Sequence, residues 1–286
     1  VKQNGMALQF ADPDHQENLN RDREIVMTAV GSNGLALEFV DYSLRRDRDV
    51  VLLAVRSHGG ALEFASAKLK RDKILVLYAC REHIDALQFA APELQDKVSL
   101  PDINSGAGLA NFGGVIYAAG GDEQNIQPGL DLMKKINATK FWTRGGETKT
   151  QFESGDIFAA VVHAGWCTRA ARAGSPVMTV HPEIKPGVKG LAKEGWLGIM
   201  KSSENVAAAH WFINEYLTTD FQYEYAINSG VFPLNQDAIE KMKTDEINAK
   251  LMELDAGAIS SMLRLDYSKV DKSAWIDGWN KTLTTN

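Results

Sequence analysis

Apolar and polar positions recur in a regular pattern over the N-terminal third of the chain. The tetrapeptide Ala-Leu-x-Phe occurs four times, at separations of 29, 25 and 25 residues, and Leu-x-x-Asp occurs between successive copies. Apolar residues follow each Asp with the i, i+1, i+4 and i+5 spacing of one helix face. Each unit therefore predicts a helix that is capped by Asp and ended by Gly34 or Gly59, followed by a second, shorter helix. The capping residues are Asp22, Asp47 and Asp72, and the tetrapeptides begin at Ala7, Ala36, Ala61 and Ala86.

These units are too small to fold separately. A unit of about 25 residues with two short helices cannot bury its apolar face alone, so it must stack on its neighbours. About four units are present, which predicts an all-α helical repeat array over residues 1–95. On its L-x-x-D and A-L-x-F motifs, this segment resembles helical repeat families of unknown function, and the resemblance implies no chemistry. The Arg residues beside each Asp predict either a basic binding stripe or a solvated face offset by Asp and Glu.

From Lys97 onward the pattern changes to short apolar runs, loops and longer helices. The runs Lys97–Leu100, Lys140–Thr143 and Asp156–His163 each end at a loop rich in small or functional residues, and a helical pattern follows each loop. This order predicts parallel strands in an α/β layer with helices on its faces. Ligands in such sheets bind outside the carboxyl ends of the strands. The three loops are therefore expected to face one cleft within residues 96–286.

Longer motifs in this part of the chain resemble a known family. They are KVSLPDINSGAG, GGDEQNIQPGL, FESGDIFAAVVHAGW and EGWLGIMKSSENVAAAHWFINEYL, in that order. Together they resemble the extracellular solute-binding proteins of ABC importers, nearest the spermidine/putrescine type, with a periplasmic-binding protein type II fold. The resemblance implies that the second lobe begins near Lys97 and that Trp196–Met200 is a hinge strand leading back to the first lobe. It also implies that a helix over Val206–Leu217 packs on that first lobe.

The chain departs from this family ahead of Lys97. Members carry a first lobe there, whereas this chain carries the helical repeat. The C-terminal helices that would lie on the first lobe are therefore expected to place their apolar faces on the repeat. They include Ile239–Met242, Ile247–Leu254 and the segment around Trp275 and Trp279.

Candidate ligand-binding residues collect at the loops. The turn after the first strand puts capping side chains and free backbone N–H groups at a helix start, which favours a carboxylate or phosphate, although an ordinary capped turn has the same sequence. Arg144 could clamp an anion or be an exposed loop residue, and Trp166 could stack on a ligand or be buried. The candidates are Asp102, Asn104, Ser105, Gly106, Arg144, Gly145, Trp166 and Trp196.

The acidic residues needed for a polyamine are largely missing. The family's acidic positions in this loop correspond to Ile103 and Gly106, which leaves Asp102 as a single carboxylate for a dication. An anionic or zwitterionic small molecule is therefore expected instead of spermidine. A micromolar complex corresponds to a binding free energy of about 8 kcal/mol. If the two lobes of a family member share this free energy evenly, one lobe retains about 4 kcal/mol, which corresponds to millimolar affinity. A site that lacks its first lobe is accordingly expected to bind weakly.

Composition excludes several other functions. The net charge is −6 and the basic residues are dispersed, so nucleic-acid binding is not expected. Cys80 and Cys167 have no metal-ligand spacing and are expected to be free thiols, and His163 and Glu147 lack further ligands at suitable spacing. No apolar run is long enough to span a membrane and no signal peptide is visible, although the resemblance implies a periplasmic or extracellular location.

The leading functional hypothesis is capture of a small molecule for an ABC importer, whose membrane subunits would be partners. The alternative is a protein-interaction scaffold, in which the repeat binds a protein partner and the α/β lobe is structural. No nucleophile with a base and an orienting acid can be assembled from the sequence, so the chain is not expected to be an enzyme, and no cofactor is expected.

Overall fold

The structure is a computed structural model and describes residues 2–11, 19–137 and 139–283. Its N-terminal part is an array of alternating α-helices and 3₁₀ helices, as the repeat predicts. The α-helices are α1 (Arg23–Ser32), α2 (Arg48–Ser57), α3 (Lys73–Glu82) and α4 (Pro92–Gln95). The 3₁₀ helices are Gly5–Phe10, Gly34–Phe39, Leu44–Arg46, Gly59–Phe64, Leu69–Arg71 and Ile84–Phe89.

The predicted Asp caps are confirmed. The Asp47 carboxylate accepts the backbone N–H groups of Asp49 and Val50 at 2.9 and 3.2 Å, and Asp22 and Asp72 cap α1 and α3 in the same way. Such caps satisfy N–H groups that have no acceptor within the helix. The apolar face of each helix is buried, and its members are Val26, Ala29, Val30, Val50, Val51, Ala54, Val55, Leu75, Val76 and Ala79.

Glycine has a different role in the array from the one predicted. α1 and α2 end at Ser32 and Ser57, and Asn33 and His58 are their C-cap residues. Gly34 and Gly59 begin the following 3₁₀ helices and do not end the α-helices. Neither glycine has a positive φ. Each lies against the next α-helix instead: a Cβ on Gly34 would lie 2.1 Å from the carbonyl oxygen of Ala54. Close approach of two backbones is therefore the reason for glycine here.

Neighbouring units are also joined by ion pairs. Arg23 Nε lies 2.9 Å from the Asp47 carboxylate, and Arg48 Nε lies 2.8 Å from that of Asp72, so each Arg contacts the capping Asp of the next unit. The side chains are partly exposed, and each such pair contributes at most about 1 kcal/mol. These pairs favour the solvated-face interpretation of the basic residues over a binding stripe.

The second part contains a small parallel sheet with helices around it. Its strands are β1 (Val98–Pro101), β2 (Lys140–Trp142) and β3 (Ala159–Ala160), and a separate antiparallel pair is formed by β4 (Glu183–Lys185) and β5 (Val188–Lys189). The three-stranded sheet has the order β2-β1-β3 with parallel pairings, and Ser99 of β1 lies opposite Lys140 of β2 and Ala160 of β3. The predicted α/β lobe behind an all-α repeat is confirmed. The helices are α5 (Gly108–Ala118), α6 (Gln127–Ile136), α7 (Glu147–Glu153), α8 (Ala164–Arg172), α9 (Val206–Tyr216), α10 (Thr219–Ser229), α11 (Gln236–Met242), α12 (Glu246–Leu251), α13 (Ala256–Ser261) and α14 (Lys272–Leu283).

One hydrophobic core runs from the array into the lobe. The last 3₁₀ helix of the array, Ile84–Phe89, packs on α5 and α6. On the far side of α5, the Phe112 ring meets the indoles of Trp275 and Trp279 edge-on, at centroid distances of 5.6 and 5.1 Å. Because this core crosses residue 95, the division into domains 1–95 and 96–286 stays a prediction.

Two predictions about the C-terminal region are wrong. Trp196–Met200 is not a strand but exposed coil, because a strand requires a hydrogen-bonded neighbour and none lies beside it in the described residues. The C-terminal helices do not use the repeat as their main partner: α11 packs on α10, α12 on α8 and α14 on α6. The apolar stripe of α6 faces both α14 and the array, which accounts for that change of partner.

Histidine replaces asparagine as a cap in the third unit. Asn33 Oδ1 accepts the Leu35 N–H at 3.0 Å at the start of one 3₁₀ helix, and His58 Nδ1 accepts the Gly60 N–H at 3.2 Å at the start of the next. The His58 and His83 rings lie 4.5 Å apart, with an angle of 31° between their planes. Burial lowers the pKa of His58, and the charge of His83 lowers it further.

Alanine at two neighbouring glycines should have opposite effects on stability. Gly34→Ala would press its methyl group onto the Ala54 carbonyl and should lower the free energy of unfolding by about 2 to 3 kcal/mol. In Gly31→Ala, near the end of α1, the added methyl group meets only the Leu53 side chain, at 3.4 Å. This substitution should raise the free energy of unfolding by about 0.5 kcal/mol, because alanine favours a helix more than glycine does. Urea unfolding of both variants measures these changes. Equal effects would contradict the stacking role of Gly34.

The His58 cap should make stability depend on pH. The folded state lowers the His58 pKa, so its contribution is present above the pKa of the unfolded chain, about 6.5, and is lost as the pH falls below it. Protonation also removes the Nδ1 acceptor. His58→Asn keeps an acceptor but cannot titrate, so the variant should lose less stability than the unaltered chain between pH 8 and pH 5. An unchanged loss in thermal unfolding of the variant would refute this account.

Candidate functional site

The carboxyl ends of the three parallel strands meet at one edge of the sheet. The Asp102 N–H, just after β1, donates to the Trp142 carbonyl oxygen at the end of β2 at 2.9 Å. The Trp142 indole Nε1–H then donates to the carbonyl oxygen of Val161, just after β3, at 3.0 Å. The loops after β1, β2 and β3 are therefore neighbours, in the arrangement that the sequence predicts.

The start of α5 lies at this edge and carries unpaired donors. Ala107 is the N-cap residue and no side chain caps the helix. The N–H groups of Leu109 and Ala110 have no acceptor within the described residues. The predicted capping side chains are used elsewhere, because Asp102 Oδ1 accepts the backbone N–H of Asn104 at 2.8 Å and its Nδ2 at 3.2 Å. The positive end of the α5 dipole therefore carries donors that suit an anion, and the residues around them, Ala107, Gly108 and Ala110, are buried.

One basic side chain reaches the loop before this helix. Lys193 Nζ donates to the Gly106 carbonyl oxygen at 2.6 Å. Arg144, in the loop after β2, is exposed and has no ion-pair partner within the described residues. His163 follows β3; desolvation lowers its pKa, and the charge of Lys193 lowers it further. The edge carries Lys193 and Arg144 but also the carboxylates of Asp102 and Glu147, so positive and negative side chains are both present. No motif or spacing points to Lys193, which lies far from the loop in the chain.

Ser105 and Gly106 lie in the loop just before α5. Ser105 Oγ is buried and has no hydrogen-bond partner among the described residues. A Cβ on Gly106 would meet no atom within 4 Å, so the space beside this glycine is open. A buried, unpaired hydroxyl is suited to a water molecule or to a polar group that reaches below the surface.

Trp166 lies in the first turn of α8, and protein atoms contact its ring. A Cβ on Gly145 would lie 2.0 Å from the indole Nε1, so this glycine packs directly on the ring. The Arg169 guanidinium lies 4.4 Å from the ring centroid, a cation–π contact. The structure brings Gly145 and Trp166 together, but it favours a packing role for Trp166 over ligand stacking.

The remaining features of this edge indicate a shallow site. Trp196 lies in coil and is 87% exposed, so it encloses no ligand in this structure. A cavity between α7 and α8, beside Trp166 and Cys167, measures about 10 Å³ and holds one water molecule at most. Among the described residues, His, Cys, Asp and Glu side chains nowhere gather in threes as a metal site requires. None of the described helices is long and apolar enough to cross a membrane.

Comparisons with known proteins divide the chain in a similar way. Three overlapping segments, residues 1–45, 22–70 and 47–95, match the model of a family described as a domain of unknown function, DUF4116. No curated protein matches the sequence.

A solved structure resembles the fold of most of the chain. It is the 1.85 Å crystal structure of an ABC transporter from Clostridium perfringens ATCC 13124, which is similar with a TM-score of 0.52 and 22% sequence identity. The similarity covers 71% of this chain and 62% of that one, so the chain spans less than two thirds of the length of that protein. The chain thus joins segments that match a repeat family of unknown function to a fold shared with an ABC transporter protein.

Proposed function

We propose that the chain captures a small anionic or zwitterionic molecule at the carboxyl edge of its parallel sheet, for delivery to the membrane subunits of an ABC importer. The observation that carries this proposal is the uncapped start of α5, where the N–H groups of Leu109 and Ala110 lack acceptors. The similarity in fold to an ABC transporter protein supports the importer as destination.

Each group at the edge would have a defined role. The Leu109 and Ala110 N–H groups would donate to a carboxylate or phosphate oxygen, and the Ser105 hydroxyl would donate a further hydrogen bond. Lys193 and Arg144 would supply long-range attraction for the anion. Asp102 directly follows β1, and its second carboxylate oxygen would accept a hydrogen bond from the ammonium group of a zwitterion.

Specificity and affinity follow from the same groups. Asp102 is the single carboxylate within the loop after β1, and one Oδ atom already accepts two bonds from Asn104. A polycation such as spermidine would meet Lys193 and the positive helix end, so anions are favoured. Because the edge is shallow, it excludes little water from a bound ligand. We therefore expect a dissociation constant in the millimolar range, which corresponds to a binding free energy of about 4 kcal/mol.

Replacing Gly106 by Asp should weaken the binding of anions. The added carboxylate would occupy the open space at the start of α5 and repel an incoming anion, whereas Gly106→Asn adds a side chain of the same size without charge. Titration calorimetry with succinate, citrate, phosphate, glutamate and spermidine would first identify ligands of the unaltered chain. We expect anion affinity to fall at least tenfold in Gly106→Asp and less than threefold in Gly106→Asn.

Two results would contradict the proposal. One is spermidine binding more tightly than every anion. The other is equal loss of affinity in the two Gly106 variants, since equal loss would assign the effect to bulk and not to charge.

A further inference from the structure

Helix α9 is apolar but buries none of its residues. Its sequence, VAAAHWFINEY, contains eight apolar or aromatic residues, yet Trp211 is 66% and Phe212 50% exposed. A helix of this length is marginal in water unless an apolar face is packed. In this structure α9 packs only lightly, on α10. Its surface therefore has the character of an interaction site.

The exposed surface continues onto α10 as a cluster of four rings. Tyr216 lies at its centre, with centroid distances of 5.2 Å to Phe221, 5.5 Å to Tyr225 and 6.3 Å to Phe212. Phe221 and Tyr225 are stacked with an angle of 16° between their planes. We call Phe212, Tyr216, Phe221 and Tyr225 the aromatic patch.

Acidic side chains border the aromatic patch. An open, shallow depression lies beside Phe221, between the end of α9 and the start of α10. Its walls carry Glu215, Asp220 and Glu224, which we call the acidic rim. Asp220 pairs with Lys241 at 3.0 Å, whereas the carboxylates of Glu215 and Glu224 have no cationic partner in the described part of the chain. The surface is thus apolar at its centre and negative at its edge.

We propose that the aromatic patch and the acidic rim dock a positively charged amphipathic helix of a partner protein. The apolar face of that helix would lie on the four rings, as amphipathic helices do on apolar partner surfaces. Its Lys or Arg side chains would pair with Glu215 and Glu224 and lie over the tyrosine rings. This inference is independent of ligand capture at the sheet edge.

Charge disfavours other occupants of this surface. Two copies related by a two-fold axis would present the same patch to each other, and their identical acidic rims would meet with like charge. An anionic lipid surface would repel the rim for the same reason.

A designed peptide pair tests the proposal on the full chain. The probe is a fluorescein-labelled synthetic helix with Leu on one face and Lys on the other, and its matched control carries Glu in place of Lys. Fluorescence anisotropy should show binding of the Lys peptide, with at least tenfold weaker binding of the Glu peptide. Raising the ionic strength from about 0.01 to 0.15 M should weaken the Lys peptide more than the Glu peptide, because salt screens exposed charges.

Variants locate the binding surface. Phe221→Ala should weaken binding of the Lys peptide at least tenfold, whereas Phe10→Ser, which replaces an 81% exposed ring on the repeat, should leave it unchanged. The paired substitution Glu215→Gln and Glu224→Gln changes exposed side chains without altering the core. It should weaken binding at low salt and reduce the salt dependence.

Several outcomes would overturn the proposal. Equal binding of the Lys and Glu peptides would indicate a non-specific apolar surface, and unaltered binding by the Glu215/Glu224 variant would remove the acidic rim from recognition. Light scattering that detects a dimer abolished by Phe221→Ala, without binding of the Lys peptide, would assign the patch to a second copy. Binding to phosphatidylcholine vesicles without binding of the Lys peptide would assign it to a membrane.

Discussion

The array depends on a backbone contact that leaves no room for a side chain. Gly5, Gly34 and Gly59 lie against the carbonyl oxygens of alanines in α1, α2 and α3, where a Cβ would approach within 2.1 to 2.3 Å. This contact sets how closely each unit lies on the next, and the buried Val, Ala and Leu positions fill the core that results. The fourth unit carries Ile84 at this position, and there the stack of α-helices ends. The 3₁₀ helix Ile84–Phe89 packs on α5 and α6 of the lobe instead of on a further repeat unit.

The position of the candidate site follows from that junction. α5 is held on one side by the last repeat unit and on another by Trp275 and Trp279 through Phe112. Its first turn is thereby fixed beside the carboxyl ends of β1, β2 and β3. A rigid helix start with unpaired N–H groups can bind an anion without reorganising, which lowers the cost of binding. In this sense the array is a structural support for the site.

Local signals in the sequence were sufficient for much of this architecture. Asp47 and its equivalents predict helix starts because capping is a contact between near neighbours. The strand–loop–helix order predicts a parallel sheet because a strand that follows a crossover helix runs in the same direction as the strand before it, although the paired residues are distant in the chain. The failures involve distant contacts. Lys193 donates a hydrogen bond to Gly106, which is distant in the chain, and Gly145 packs on the Trp166 ring. Residue spacing in the sequence predicts neither contact. The segment Trp196–Met200 has an apolar composition typical of strands but lacks a neighbour to pair with.

The two proposed surfaces differ in charge. The start of α5 is positive and the acidic rim is negative, so one solute cannot favour both. Arg169 joins α8 to the C-terminal end of α10: its guanidinium donates to the carbonyl oxygens of Asn228 and Ser229 and lies over the Trp166 ring, which packs on Gly145 in the loop after β2. Such a chain of contacts couples two sites only if an element along it has two arrangements. Helix α9, which buries none of its residues, is the part of this region whose position the core constrains least, so any coupling would begin there.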